Sequence, residues 1–192
     1  MIAAVSLAGG EASRLGGIDK PLLEIAGLSL LARILRTLAP EHAAIAISAN
    51  GDPARFSEFG CPVLNDGAFT RMGPLAGILA GLEWAETIGA TDLLSVPGDT
   101  PFIPGQLARA LSPAPAYAAN QGRAHPAVAL WPVTCREALK DHLSRENSRS
   151  VLGFAQTIGA RRVEFATGGT NPFANINTPA DLAAVSAAGN TA

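Results

Sequence analysis

Residues 1–20, MIAAVSLAGGEASRLGGIDK, decide how the chain is read. The run Ile2 to Ala8 is short, apolar and built from small and branched residues, as suits a strand buried on both faces of a sheet. It passes directly into Gly9 and Gly10, then Ser13, Arg14, Gly16, Gly17, Asp19 and Lys20, before Pro21 opens another apolar segment. A strand ending in such a loop suits a phosphate. Glycines let the backbone bend close to an anion, their N–H groups donate unobstructed, and Arg14 and Lys20 bring charge against a triphosphate. The spacing matches neither common phosphate motif. GxxxxGK[ST] needs a lysine directly after its second glycine and GxGxxG needs alternating glycines, so kinase and dehydrogenase readings lose their main support.

Working outward, further short runs rich in Val, Ile, Leu and Ala occur at Ala43 to Ala49, Pro62 to Leu64, Asp92 to Val96, Ala114 to Ala119 and Pro126 to Trp131, and each reads as a buried strand. Helical spacing appears over Leu28 to Leu38, Leu75 to Thr87, Pro104 to Leu111, Cys135 to Leu143, Val151 to Ile158 and Pro179 to Ala187. This alternation predicts an α/β fold, a Rossmann-like three-layer sandwich with a mostly parallel sheet. Ligands of such sheets bind outside the carboxyl ends of the strands, so chemistry belongs in the loops that follow them. The 192 residues suit a single domain. Within it, about 1–111 is expected to be a nucleotide-binding half and about 112–192 an acceptor-binding half, with a hairpin-like excursion turning at Asn120 to Arg123.

With 48% hydrophobic and 16% charged residues the chain is not a disordered tail, and a formal charge of −2 without a basic stripe argues against nucleic acid. The start lacks the basic region of a signal peptide and no apolar run is long enough to span a bilayer, so a cytoplasmic protein without a membrane role is expected. Cys61 and Cys135 are too few and too far apart for a disulfide framework or a zinc cluster.

Further candidates fall in loops after strands. Asp99, in LLSVPGDTPFIP, follows an apolar strand and can hold a hard cation such as Mg2+, which takes oxygen ligands and keeps several waters; alone, an Asp-Thr-Pro is as readily a turn or a helix cap. Asn50 and Asp66 follow their own strands and, taken singly, are equally turn residues. Gly73, Pro74 and Gly77 in GPLAG start a helix whose free N–H groups favour anions, a pattern that a proline at the first turn with close-packed glycines also explains. His125 in GRAHPAVALWP precedes a strand, and Asn175 and Asn177 in FANINTPADL precede a helix.

The composite LAGGxxxRxGGxDK, carried at Leu7 to Lys20, resembles the signature loop of the molybdenum cofactor guanylyltransferases, within a superfamily of sugar-phosphate and isoprenoid-precursor nucleotidyltransferases that carry LA[AG]GxGxRxG. The doubled Gly16–Gly17 and the pair Asp19, Lys20 point to the guanylyl branch, and GPLAG, GDTPF, AHPAVAL and FANINTPADL extend the resemblance along nearly the whole chain. The resemblance implies a nucleotidyltransferase fold and transfer of GMP from GTP to molybdopterin, with Mg2+ as cofactor. Leu7, Ala8, Gly9, Gly10 and Lys20, with Asn50, Asp66 and Asp99, would bind the nucleotide. Lys20, Arg14 and Asp99 would be catalytic, with Asp99 the metal ligand. Gly73, Pro74, Gly77, His125, Asn175 and Asn177 would face the acceptor. Other molybdenum cofactor biosynthesis proteins and molybdoenzymes would be partners. Rival readings are the same chemistry with CTP, transfer to a sugar or polyol phosphate, and a non-catalytic nucleotide-binding module; Lys20 and Asp99 count against the last.

Overall fold

A computed structural model of the chain describes residues 1–9, 14–15, 18–145, 149–166, 171–176 and 181, with the backbone alone at 14, 15 and 18. Seven strands form one sheet: β1 (Ile2–Leu7), β2 (Ile45–Ser48), β3 (Val63–Leu64), β4 (Asp92–Pro97), β5 (Ala116–Asn120), β6 (Arg123–Pro132) and β7 (Arg161–Glu164). Their order is β7-β5-β6-β4-β1-β2-β3. Every strand but β6 points the same way; β6 runs antiparallel to both β4 and β5.

Alternation along the strands sends side chains to two helical layers. Ala3, Val5, Leu93, Ala129 and Trp131 pack with Leu75, Leu82, Leu139 and Phe154 of α2 (Pro74–Thr87), α4 (Arg136–Ser144) and α5 (Val151–Thr157). Ala4, Leu94, Val96, Ala118 and Leu130 face the other way, onto Ile34, Leu38, Leu107 and Leu111 of α1 (Leu30–Leu38) and α3 (Leu107–Leu111). The result is a three-layer α/β sandwich with a mostly parallel sheet. The fully buried Trp131 donates its indole N–H to Ser95 Oγ at 2.9 Å, and Ser95 donates in turn to the Ala127 carbonyl at 2.8 Å, so these two buried polar side chains are paired. Among the described residues no helix is long and apolar enough to cross a membrane. Cys61 and Cys135 are free thiols, and burial pushes that of Cys135 up to about 12.

The elements begin and end for local reasons. The Ser29 side chain accepts from the Ala32 amide and starts α1 two residues later than hydrophobic spacing suggests. Helix α3 starts at Leu107, not Pro104, after Gln106 adopts a left-handed φ of 59°. The expected excursion is a hairpin between β5 and β6 whose central residues Gln121 and Gly122 both have positive φ, 48° and 78°. Strand β6 is longer than predicted and carries a bulge between His125 and Ala129. Strand β7 was not expected from the sequence: its residues, RRVE, are mostly exposed and form the sheet's edge.

Candidate active site

The ends of β1 to β4 meet on one edge because the parallel ladder continues past them. The Ala8 amide donates to the Ser48 carbonyl, Ala49 to Leu64 and Gly98 to Leu7, each at 2.8 Å. This sets Gly9, Asn50, Asp66 and Asp99 side by side. Gly98 lies so close to the neighbouring loop that a Cβ there would sit 3.1 Å from the Leu7 carbonyl oxygen and 3.2 Å from the Ala8 Cα. The loop after β4 therefore rests directly on the start of the glycine loop.

Lys20 opens a short 3-10 turn, Lys20–Leu22, with Pro21 behind it. Although only 8% exposed, it reaches the same edge, and its Nζ stands 2.6 Å from Asp99 Oδ2. Asp99 also anchors the segment that follows β7: its carbonyl accepts from the Ile176 amide at 2.9 Å, and the fully buried Thr100 hydroxyl donates to Asn175 Oδ1 at 3.1 Å. Lys20, Asp99 and Asn175, from three distant stretches of sequence, thus form one cluster.

Asn50 and Asp66 lock each other. Asn50 Nδ2 donates to Asp66 Oδ2 at 2.6 Å, and the Asp66 amide returns a bond to Asn50 Oδ1 at 3.1 Å. Burial raises the Asp66 carboxyl above its ordinary value, while the bonds from Asn50 and Ser48 hold it back. Sequence reasoning missed Arg55, which donates to Asp19 Oδ2 at 2.8 Å and to the Asn50 carbonyl. It lies in a 3-10 segment, Pro53–Phe59, and nothing in the local pattern marks it.

On the other side of Asp99, the bulge in β6 opens a cavity of ≈ 180 Å³ lined by Pro97, Thr100, Arg123, His125, Phe173 and Asn175 among others. The His125 ring packs on Phe173 with centroids 5.1 Å apart. Burial and then the Arg123 charge push the imidazole below its usual pKa, against a smaller pull from Glu164.

Of the remaining candidates, Gly73 has φ 76° and ψ −161°, a backbone open essentially to glycine alone, and directs Pro74 into the first turn of α2. Gly77 is buried, and a Cβ there would crowd the Ser48 side chain and sit 3.1 Å from Leu7 Cδ2, so this position packs α2 against the sheet. Arg14 is described by its backbone, which pairs with Asp19. Gly10 and Asn177 lie outside the described residues, as does the helix expected over Pro179 to Ala187 except for residue 181.

The sheet, with a glycine-rich stretch after β1 and a lysine–carboxylate contact at the end of the neighbouring β4, suits a nucleotidyltransferase. Residues 4–160 match the family described as MobA-like NTP transferase domain, and the chain belongs to that family. A molybdenum cofactor guanylyltransferase from Acidiphilium cryptum is 52% identical over 184 residues, covering 96% of this chain and 93% of the relative. Another, from Mesorhizobium japonicum, is 46% identical over 195 residues, covering 95% and 93%. Among solved structures, molybdopterin-guanine dinucleotide biosynthesis protein A from Archaeoglobus fulgidus has a TM-score of 0.72 at 18% identity over 100% of both chains, a likeness of fold.

Proposed function

We propose that this nucleotidyltransferase transfers GMP from GTP to molybdopterin, giving the guanine dinucleotide form of the cofactor and pyrophosphate. The observation that carries the reading is the contact between Lys20 and Asp99 beside the glycine loop, which puts a cation and a carboxylate where a nucleotide's phosphates would meet the strand ends. The acceptor is a phosphate monoester, already anionic at neutral pH, so no strong base is needed. One of its oxygens bonds to the α-phosphorus of GTP as the bond to the bridging oxygen breaks, and the electron pair leaves with pyrophosphate. The loop that Leu7 and Ala8 open wraps the triphosphate and purine, with Gly9 and Gly10 offering backbone N–H groups to the phosphates, Arg14 braces the leaving pyrophosphate, and Lys20 moves its ammonium from Asp99 to the phosphate oxygens. Asn50 and Asp66 meet base or ribose. His125, Asn175 and Asn177 orient the acceptor from the second half of the chain, about 112–192, with Gly73 and Pro74 at the head of α2.

Asp99 offers hard oxygen donors, and the described residues contain no cluster of three or more His, Cys, Asp or Glu that could hold an ion by itself. That donor set fits Mg2+, which takes one carboxylate together with substrate phosphates and water. Bound there, it would neutralise phosphate charge during transfer. The reaction would run in the cytoplasm, with product passing to molybdoenzymes.

Calorimetric titration of GTP, CTP, ATP and UTP in the presence of magnesium tests the reading. GTP is expected to bind tightest and to support pyrophosphate release only with molybdopterin. Tighter binding of CTP would transfer the chain to cytidylyl chemistry.

A further inference from the structure

We propose that Arg55 is a positioning residue for the nucleotide, joining the phosphate end of its site to the base end and neutralising Asp19 beside it. Arg55 is held from three sides. One terminal nitrogen donates to Asp19 Oδ2 at 2.8 Å and the other to the Asn50 main-chain carbonyl. Its guanidinium carbon lies 4.9 Å from the centre of the Phe56 ring, and that ring is 1% exposed and packs with Ala8, Ile47 and Ala49 beneath the strand ends.

Each anchor touches a different part of the site. Asp19 directly precedes Lys20, and its side chain is 14% exposed. A carboxylate so enclosed needs a partner, and without one it would hold an uncompensated negative charge next to the residue that meets the triphosphate. Asn50 is the residue whose side chain is locked to Asp66. The planar fork therefore fixes both stretches with one group, and lysine, a point charge on a flexible stem, cannot make both contacts in the same geometry. The inference rests on the GTP reading of the site.

The test is a titration of GTP with magnesium into wild type, Arg55→Ala, Arg55→Lys and the double variant Asp19→Ala/Arg55→Ala, with steady-state kinetics on the same proteins and a thermal melt to check folding. A wild type that fails to bind GTP overturns the functional reading, separately from the inference. Given wild-type binding, Arg55→Ala is expected to weaken GTP on the order of tenfold or more, the range for losing hydrogen bonds to a charged group, and to leave KM for the acceptor unchanged. The double variant should recover part of that loss, because the enclosed carboxylate disappears with its partner while the bond to the Asn50 carbonyl stays lost; a residue that only scaffolds the fold would leave GTP affinity unchanged in the folded single variant. Arg55→Lys should fall between, and it carries the test with the double variant if Arg55→Ala does not fold. Wild-type GTP affinity in Arg55→Ala or Arg55→Lys, or a double variant as weak as Arg55→Ala, would overturn the proposal.

Discussion

Lys20 Nζ and Asp99 Oδ2 stand 2.6 Å apart although 79 positions separate them in the chain. Each side chain is mostly enclosed, at 10% and 21% exposure, so the contact lies in a partly desolvated place where a fixed charge acts more strongly than in water. The negative charge that builds on the phosphates during transfer is the charge such a lysine can stabilise. Lys20→Ala is therefore expected to lower kcat on the order of 10², the typical loss for one electrostatic stabiliser of the transition state, with a smaller effect on GTP binding. Lys20→Arg, which keeps the charge in another shape, should recover part of it. Asp99→Ala should abolish turnover by removing the carboxylate expected to hold magnesium. Pyrophosphate release at saturating substrates checks all three, and a Lys20→Ala enzyme with wild-type kcat and only a raised KM for GTP would reduce Lys20 to a binding residue.

Helix α2 is the element on which the site's geometry leans. Its residues Gly77 and Gly81 are one turn apart and both face the sheet, so the helix can approach β1, β2 and β4 without intervening side chains. At Gly81 a Cβ would come within 2.8 Å of Leu93 Cδ2 and 3.0 Å of Val5 Cγ1, both in the core. Replacing a helical glycine normally gains up to about 1 kcal/mol in helix propensity, but overpacking a filled core costs about 1–3 kcal/mol. For Gly81→Val the branched side chain gains less and collides more, so the cost wins. We expect the variant to lose about 1–3 kcal/mol of stability, read as a lower midpoint in chemical denaturation with an unchanged slope. The glycine-rich pattern GPLAG was visible in the sequence, but whether its glycines admitted a ligand or a sheet was not. Gly73 meets a backbone requirement, its φ of 76°, and Gly77 a packing requirement, since a Cβ there would strike the Ser48 side chain; both are compatible with a place beside the acceptor.

At the scale of the whole molecule, His42 links the end of α1 to the start of β1. It is 5% exposed, and because a carbonyl can only accept, its Nδ1 carries the proton donated to the Ile2 oxygen at 3.2 Å. Burial depresses its pKa below the ordinary 6.5, opposed by that bond and by the charge of Glu41; His125 is depressed as well. As the pH falls below 6.5 the unfolded chain takes up protons that the folded chain refuses, so stability is lost progressively in that direction and is insensitive to these groups above it. Carboxylates titrate mainly below about pH 5, which leaves the histidines a window of their own. Denaturation midpoints measured from pH 7.5 to 5.5 should fall through this window, and His42→Gln should flatten the fall; an unchanged slope in that variant would remove His42 as its source. The sequence by itself determined the succession of every strand of the sheet but β7 and of the helices packed on it, because hydrophobic period and capping serines such as Ser29 act within a few residues. It also offered Asp99, Asn50 and Asp66, which follow apolar strands, and Lys20, which closes the glycine-rich loop, although taken singly the three strand-end residues read equally as turns and the family resemblance is what separated them. Only the tertiary structure decided that Lys20 meets Asp99, that Thr100 ties Asn175 to the same cluster, that Arg55 bridges Asp19 and Asn50, and that the exposed strand β7 closes the edge. Those contacts depend on strand order and register, which couple residues far apart in the chain and leave no local trace of who their partners are.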